Sequence, residues 1–241
     1  MVSGRYKADG SLEDHGRLSV REKRWRIEVP WELSTERRRF SIAHEIGHIL
    51  LFDAVAENPQ LVQQLRGREL WARVERLCNI GAANLLMPAA TYRAAVDPLL
   101  PPNRRTISAM AARFQVSLSA VARRIAEVQP EWSVIFWELA MTHPKGAAWR
   151  TAGLQHRGGT SFLPSGMSSS RLQPDIVSQA AVAGEASAQN VLADLPGVGI
   201  MEDAWALHIP RARNELIEIE GGKNLGQPER VLVFYRSPTK R

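Results

Sequence analysis

A single cysteine among 241 residues rules out any internal disulfide. The chain also lacks an apolar run of transmembrane length and a signal-type N-terminus, so the expected setting is a reducing cytoplasm with no membrane partner. No internal repeat is present, which sets aside solenoids and propellers. Acidic residues are in the minority: 25 Asp and Glu stand against 31 Lys and Arg, a net charge of +6. Residues 1–96 carry 15 basic against 12 acidic residues, residues 97–130 carry 5 against 2, and residues 131–241 carry 11 against 11. The excess therefore lies in the first half, and it suggests an acidic partner there. Hydrophobic residues at 44% and charged residues at 23% are ordinary for a soluble globular protein, and the length suffices for two or three small domains.

What is present is concentrated in Phe40-Ser41-Ile42-Ala43-His44-Glu45-Ile46-Gly47-His48-Ile49-Leu50-Leu51. On a helix turning about 100° per residue, His44 and His48 lie one turn apart on one face, where both imidazoles reach one metal ion. Glu45 follows the first histidine. A Zn²⁺ with one open position lowers the pKa of water from about 15.7 to about 7, and a carboxylate placed like Glu45 can take up the proton. Taken alone, the five residues fit equally well a helix with two ordinary surface histidines. The surrounding Ile42, Ala43, Ile46, Ile49, Leu50 and Leu51 make the helix apolar almost all round, which implies burial, and buried histidines need partners. Gly47 costs about 1 kcal/mol relative to Ala inside a helix, so its presence suggests the close approach of another backbone.

A catalytic zinc site needs a third ligand. The candidate is Glu75, in a helical run from Leu70 that stops at Pro88; Asn79, Ala82 and Leu86 continue its face. Small residues at 82 and 83 favour close packing of this helix on the first. The competing reading is a solvated surface charge.

The block from Arg37 through His48, followed at this spacing by Glu75 and then by Asn79 through Leu85-Leu86-Met87-Pro88, resembles the ImmA/IrrE family of metallopeptidases. The resemblance covers roughly residues 24 to 125. It implies a zincin-like domain in which His44, His48 and Glu75 bind zinc and Glu45 is the general base. Mn²⁺ or Fe²⁺ also suits such a ligand set. Where the family usually has Ala before the Asn, this chain has Cys78, read as a packing residue, with a thiolate competing for the metal as the rival.

Read in order, residues 1–20 form a loose lead-in with His15 at the surface, and Arg21 to Pro30 alternates as a half-buried strand. From the resemblance, substrate backbone adds to an edge strand of this kind. Ser34 or Thr35 caps the motif helix, and Arg37-Arg38-Arg39 is a solvated helix start. The run from Asp53 to Gly67 reads as a connection with room for a short helix, Ala89 to Val96 as a short helix, and Tyr92 as a packing residue. Pro98 to Pro102 is a linker, and Thr106 to Ile125 reads as a helix-turn-helix whose Arg123 and Arg124 are candidates to contact phosphates or base edges, with scaffolding or substrate docking preferred over DNA binding as the unit's role. Beyond Pro130, strands are expected at Trp132 to Leu139, Gly146 to Leu154, Trp205 to Ile209, Glu215 to Glu220 and Arg230 to Tyr235. A Gly- and Ser-rich loop is expected at His156 to Arg171 and a helix at Ile176 to Leu195. His143, His156 and His208 show no ligand spacing.

The resulting fold class is α+β, in three parts: residues 1–96 a zinc metallopeptidase domain, 97–130 a helix-turn-helix-like helical domain, and 131–241 a small α+β sensor or docking domain, GAF-like in some relatives. The expected activity is that of a zinc endopeptidase. The resemblance implies that its protein substrate is a DNA-binding repressor, whose cleavage would derepress stress or mobile-element genes. The rivals are a DNA-binding transcriptional regulator with a structural zinc-peptidase-like fold, and a metal or redox sensor using Cys78.

Overall fold

The computed structural model describes residues 16–31, 33–58, 60–61, 70–95, 102–129, 131–142, 146–156, 159–161, 174–188, 193–195, 199–201, 203–209 and 230–236. By internal contacts the chain divides into two compact units, Met1–Ala94 with Ala111–Ser117, and Ala95–Met110 with Leu118–Arg241.

The first unit opens on an antiparallel hairpin of β1 (Arg17–Arg21) and β2 (Arg24–Glu28), paired from Arg17 with Glu28 to Arg21 with Arg24. The lead-in expected up to residue 20 is therefore a strand from Arg17 onward. Its Leu18 lies opposite Ile27 and is buried, so two short apolar–polar alternations face each other. Helix α1 (Thr35–Glu57) starts at Ser34, whose side chain accepts the Arg37 N–H at 3.4 Å. Arg38 is tied down at this start by donating to the Trp31 and Leu33 carbonyls at 2.9 and 3.1 Å. The helix continues through Asp53 to Glu57, part of the segment expected to be a connection.

The burial expected for this helix follows a different rule from its hydrophobicity. Ile42 is 38% and Leu50 55% exposed, whereas Ser41, Ala43, Glu45, Gly47 and His48 are the buried residues. The reason lies in helix α2 (Leu70–Leu86), which buries the stripe Val74, Cys78 and Ala82 and packs against α1. A Cβ on Gly47 would sit 3.1 Å from the Cys78 Cα and 3.2 Å from its carbonyl oxygen, so the two backbones touch where neither helix carries bulk. Small residues therefore set which face is inside. After the stop at Pro88, α3 (Ala89–Ala95) buries Tyr92 completely, with its ring stacked on Phe114 at 5.7 Å. Tyr92 is the packing residue the sequence suggested.

Helix α4 (Arg104–Phe114) is capped by Asn103, whose Oδ1 accepts the Thr106 N–H at 2.9 Å. Gln115, at φ 52°, ends it, and α5 (Leu118–Val128) follows, so the expected helix, turn and helix are all present.

In the second unit a six-stranded antiparallel sheet has the order β5-β4-β3-β10-β9-β6. Its strands are β3 (Trp132–Thr142), β4 (Gly146–His156), β5 (Gly159–Ser161), β6 (Glu185–Ala188), β9 (Asp203–Ile209) and β10 (Arg230–Arg236). A separate two-stranded ribbon joins β7 (Ala193–Leu195) to β8 (Gly199–Met201). Helix α6 (Pro174–Ala183) packs Ile176, Val177 and Ala180 on Ile135, Trp137, Val231, Val233 and Tyr235. The helix expected over Ile176 to Leu195 thus ends at Ala183 and gives way to strand. Gly184, at φ 88°, donates its N–H to the Ala180 carbonyl at 2.7 Å and turns the chain into β6. The strands expected at Trp132, Gly146, Trp205 and Arg230 are present. The strand expected at Glu215 to Glu220, the linker at 98–101, most of the loop at 156–171, and His15 and His143 lie outside the described residues.

Candidate metal centre

His44 and His48 project from one face of α1, and Glu75 comes to them from α2. The Nε2 atoms of the two histidines are 3.1 Å apart. Glu75 Oε2 lies 3.1 Å from His44 Nε2, and Oε1 lies 3.5 Å from His48 Nε2. All three ligand atoms fall within 4.8 Å of one another, and among the described residues they are the group of this kind able to hold a metal ion. Bonds of about 2.0–2.1 Å in tetrahedral array place neighbouring donors roughly 3.3 Å apart, close to the 3.1 and 3.5 Å contacts seen here, so the three side chains lie in reach of one divalent ion. The structure brings together the three residues that the sequence singles out.

The environment prepares the donors for a cation. His48 is 2% exposed, and burial holds its pKa below the ordinary imidazole value; His44 pushes the same way and Glu75 opposes. The lowered pKa favours the neutral ring, the form that keeps a lone pair for a metal. His44 Nδ1 lies 3.0 Å from Asn79 Oδ1. An amide oxygen only accepts, so this contact places the His44 proton on Nδ1 and leaves Nε2 free to ligate. His48 Nδ1 is buried with no hydrogen-bond partner among the described residues. Its ring is instead held by Phe52, stacked at 6.2 Å, which in turn stacks on Trp25 at 5.8 Å. Glu75 has a side chain 47% exposed, so the cluster meets solvent on that side.

Glu45 is outside the cluster, 3% exposed, on the neighbouring side of the same helix turn. A Cβ on Gly16 would lie 3.1 Å from Glu45 Cγ and 3.3 Å from its Oε1. Gly16, at the entry to β1, therefore walls the carboxylate closely. This neighbour was missed in the sequence, where Gly16 sits in an apparently featureless lead-in. The spacing of one helical turn places Asn79 on the face of Glu75, as the sequence indicates, but its contact with the His44 ring is visible only in the structure.

Cys78 is buried between the helices and is not one of the clustered ligands. Burial pushes its thiol up to about 11, with Glu75 and Glu45 adding to the effect. Of the two arginines of the helix-turn-helix, Arg124 is buried and ion-paired to Glu127 at 2.9 Å, and the Arg123 guanidinium lies over the Phe136 ring at 4.8 Å. Arg124 is thus engaged inside the protein, contrary to the idea that it faces phosphates. The structure gives His208 a backbone role, its carbonyl accepting from Arg104 at 2.8 Å.

The family described as IrrE N-terminal-like domain, Peptidase_M78, matches residues 6–126. The radiation response metalloprotease IrrE of Deinococcus deserti is 37% identical over 99 residues, covering 40% of this chain and 34% of that protein. The protein of the same name from Deinococcus radiodurans is 33% identical over 95 residues, covering 39% of this chain and 29% of the relative. The matched region spans about a third of these relatives' length. Among solved structures, a Mycobacterium tuberculosis transcriptional regulator superposes with a TM-score of 0.53 at 20% identity, over 90% of this chain and 60% of that one, a likeness of fold.

Proposed function

We propose, from the premise that the chain belongs to the Peptidase_M78 family of the IrrE N-terminal-like domain, that it is a zinc-dependent endopeptidase acting on a protein substrate. The observation that carries this reading is the convergence of His44, His48 and Glu75 within 4.8 Å beside a buried glutamate that is not itself a ligand. His44, His48 and Glu75 hold the metal. Zinc bound there supplies a Lewis acid that acidifies water and polarises a carbonyl. Glu45, one residue from a ligand, accepts the proton of the attacking water and returns it to the leaving amine. Asn79 and Phe52 keep the two imidazoles in ligating orientation.

In this reading residues 1–96 carry the chemistry, while residues 97–130 and 131–241 dock or sense, the latter as a GAF-like module. The substrate is a DNA-binding repressor in the cytoplasm, whose cleavage relieves repression of stress genes. Support comes from the relatives' description as radiation response metalloproteases and from the transcriptional regulator of similar fold. No described helix is long and apolar enough to cross a membrane.

The test is incubation of the metal-loaded chain with repressors encoded nearby. Cleavage is expected without chelator and not with it. Glu45→Gln is expected to retain one equivalent of zinc and lose cleavage; unchanged cleavage in that variant would remove the mechanism.

A further inference from the structure

The hairpin of β1 and β2 carries a charge arrangement that its own packing does not explain. Alternation places Arg17, Arg21, Arg24, Arg26 and Glu28 on one face. Glu28 is shared by Arg17 at 3.7 Å and Arg26 at 3.1 Å. Arg21 and Arg24 sit directly opposite each other across the strands, both exposed, and neither has an anionic partner among the described residues. Like charges at such a pair repel. The turn that brings them together has Glu22 at φ 53° and Lys23 at φ 62°, a conformation that side chains other than Gly and Asn adopt at a cost. Lys23 adds a third cation at this tip. The repulsion and the unfavourable turn both work against the hairpin, and an anion seated on it would relieve the first.

The other face connects the hairpin to the metal cluster. Trp25 is 42% exposed, stacks on Phe52, and Phe52 stacks on His48. Beside it, β2 pairs only with β1, so among the described residues the main-chain N–H and C=O groups along its other edge have no strand partner. An extended polypeptide can pair with that edge and place alternate side chains over the cationic face, which a phosphate backbone cannot do.

We infer that this face of the hairpin is a docking surface for an acidic, extended segment of the protein substrate, with Arg21 and Arg24 as the selecting pair. The inference deepens the peptidase reading and rests on it. Acidic side chains at every second position of the segment face the arginines, while its backbone lies along β2 toward the cluster. Affinity falls steeply with salt, since both contacts are exposed.

The test uses the full metal-loaded chain and two fluorescein-labelled peptides, one alternating Glu with Thr and the other Gln with Thr, read by anisotropy. The Glu peptide is expected to bind more tightly. Arg21→Gln/Arg24→Gln should weaken it roughly two- to thirty-fold, the range that two exposed charge contacts span, and leave the Gln peptide unchanged. Arg21→Lys/Arg24→Lys, which keeps the charge, should restore most of the loss and guards against misfolding. Equal affinity for the two peptides, an equal loss for both, or a larger loss for fluorescein-labelled duplex DNA would overturn the inference. The same segments are then placed in a cleavable protein substrate. Binding through the pair with no cleavage of either substrate defeats the peptidase reading and leaves the surface standing. Cleavage of both at equal rates, in wild type and variant alike, does the reverse.

Discussion

His44 turns Nδ1 to the side-chain oxygen of Asn79 at 3.0 Å and Nε2 to Glu75 at 3.1 Å, so one helix, α2, controls both edges of the ring. Asn79 and Glu75 are one helical turn apart, and a rotation of α2 would carry both away together. The cluster is therefore only as well formed as the seating of α2 on α1.

Removing the Asn79 acceptor should loosen the metal without unfolding the protein. The partner that fixes a ligating imidazole is typically worth 10–100-fold in affinity, so Asn79→Ala is expected to lower zinc affinity by about that factor. Competition against a chromophoric chelator measures it. Asn79→Asp, which keeps an acceptor, should bind at least as tightly as wild type.

Gly47 and Gly81 separate packing from propensity. Replacing a helical Gly by Ala gains about 1 kcal/mol where space permits. At Gly81 the nearest atom a Cβ would meet is the Gly47 Cα at 3.9 Å, ordinary contact, so Gly81→Ala should be neutral or mildly stabilising. At Gly47 the obstacle is the Cys78 backbone at 3.1 Å, which cannot swing aside. Overpacking of this kind costs about 1–3 kcal/mol, enough to outweigh the propensity gain, so Gly47→Ala should lower the melting temperature and reduce zinc retention. Paired thermal melts of the two variants decide it.

This contrast also explains what could be read in the sequence. His44, Glu45 and His48 were legible because their relation is local, and a helical repeat converts spacing into geometry. Glu75 was legible because a second helical run, broken at Pro88, could be laid against the first. The inside face of α1 was not. Apolar Ile42 and Leu50 pointed to burial all round, but the helix seats through Ala43 and Gly47, whose contribution is the absence of bulk. Gly184 ended α6 early for a similar reason: a positive φ is a property of the backbone, and an Ala-rich run around it hides the break.

Cys78 should behave as an inert side chain. With its thiol pushed up to about 11, roughly one molecule in a thousand is thiolate at pH 8, and burial limits access further. Iodoacetamide is expected to leave the native protein unmodified and to label it fully in denaturant, as read by mass spectrometry. Cys78→Ala should retain one equivalent of zinc. Rapid native labelling, or zinc loss on that substitution, would revive the sensor alternative.

Gly16 tests the position of Glu45 without touching its chemistry. The residue is remote in sequence from the motif, at the start of β1, and a methyl group there would meet Glu45 Cγ at 3.1 Å and Oε1 at 3.3 Å. A flexible carboxylate can yield by a few tenths of an ångström, so the fold should survive, but the base would no longer point where its backbone sets it. Since a displacement of about 1 Å can cost on the order of a hundredfold in rate, this smaller shift should lower kcat by roughly three- to tenfold. Zinc content and KM are expected to stay at wild-type values, because neither the ligands nor the exposed side of Glu75 is disturbed. A matched loss of zinc would instead mean that the methyl group had shifted α1 as a whole, and an unchanged kcat would show that Glu45 does not depend on this wall.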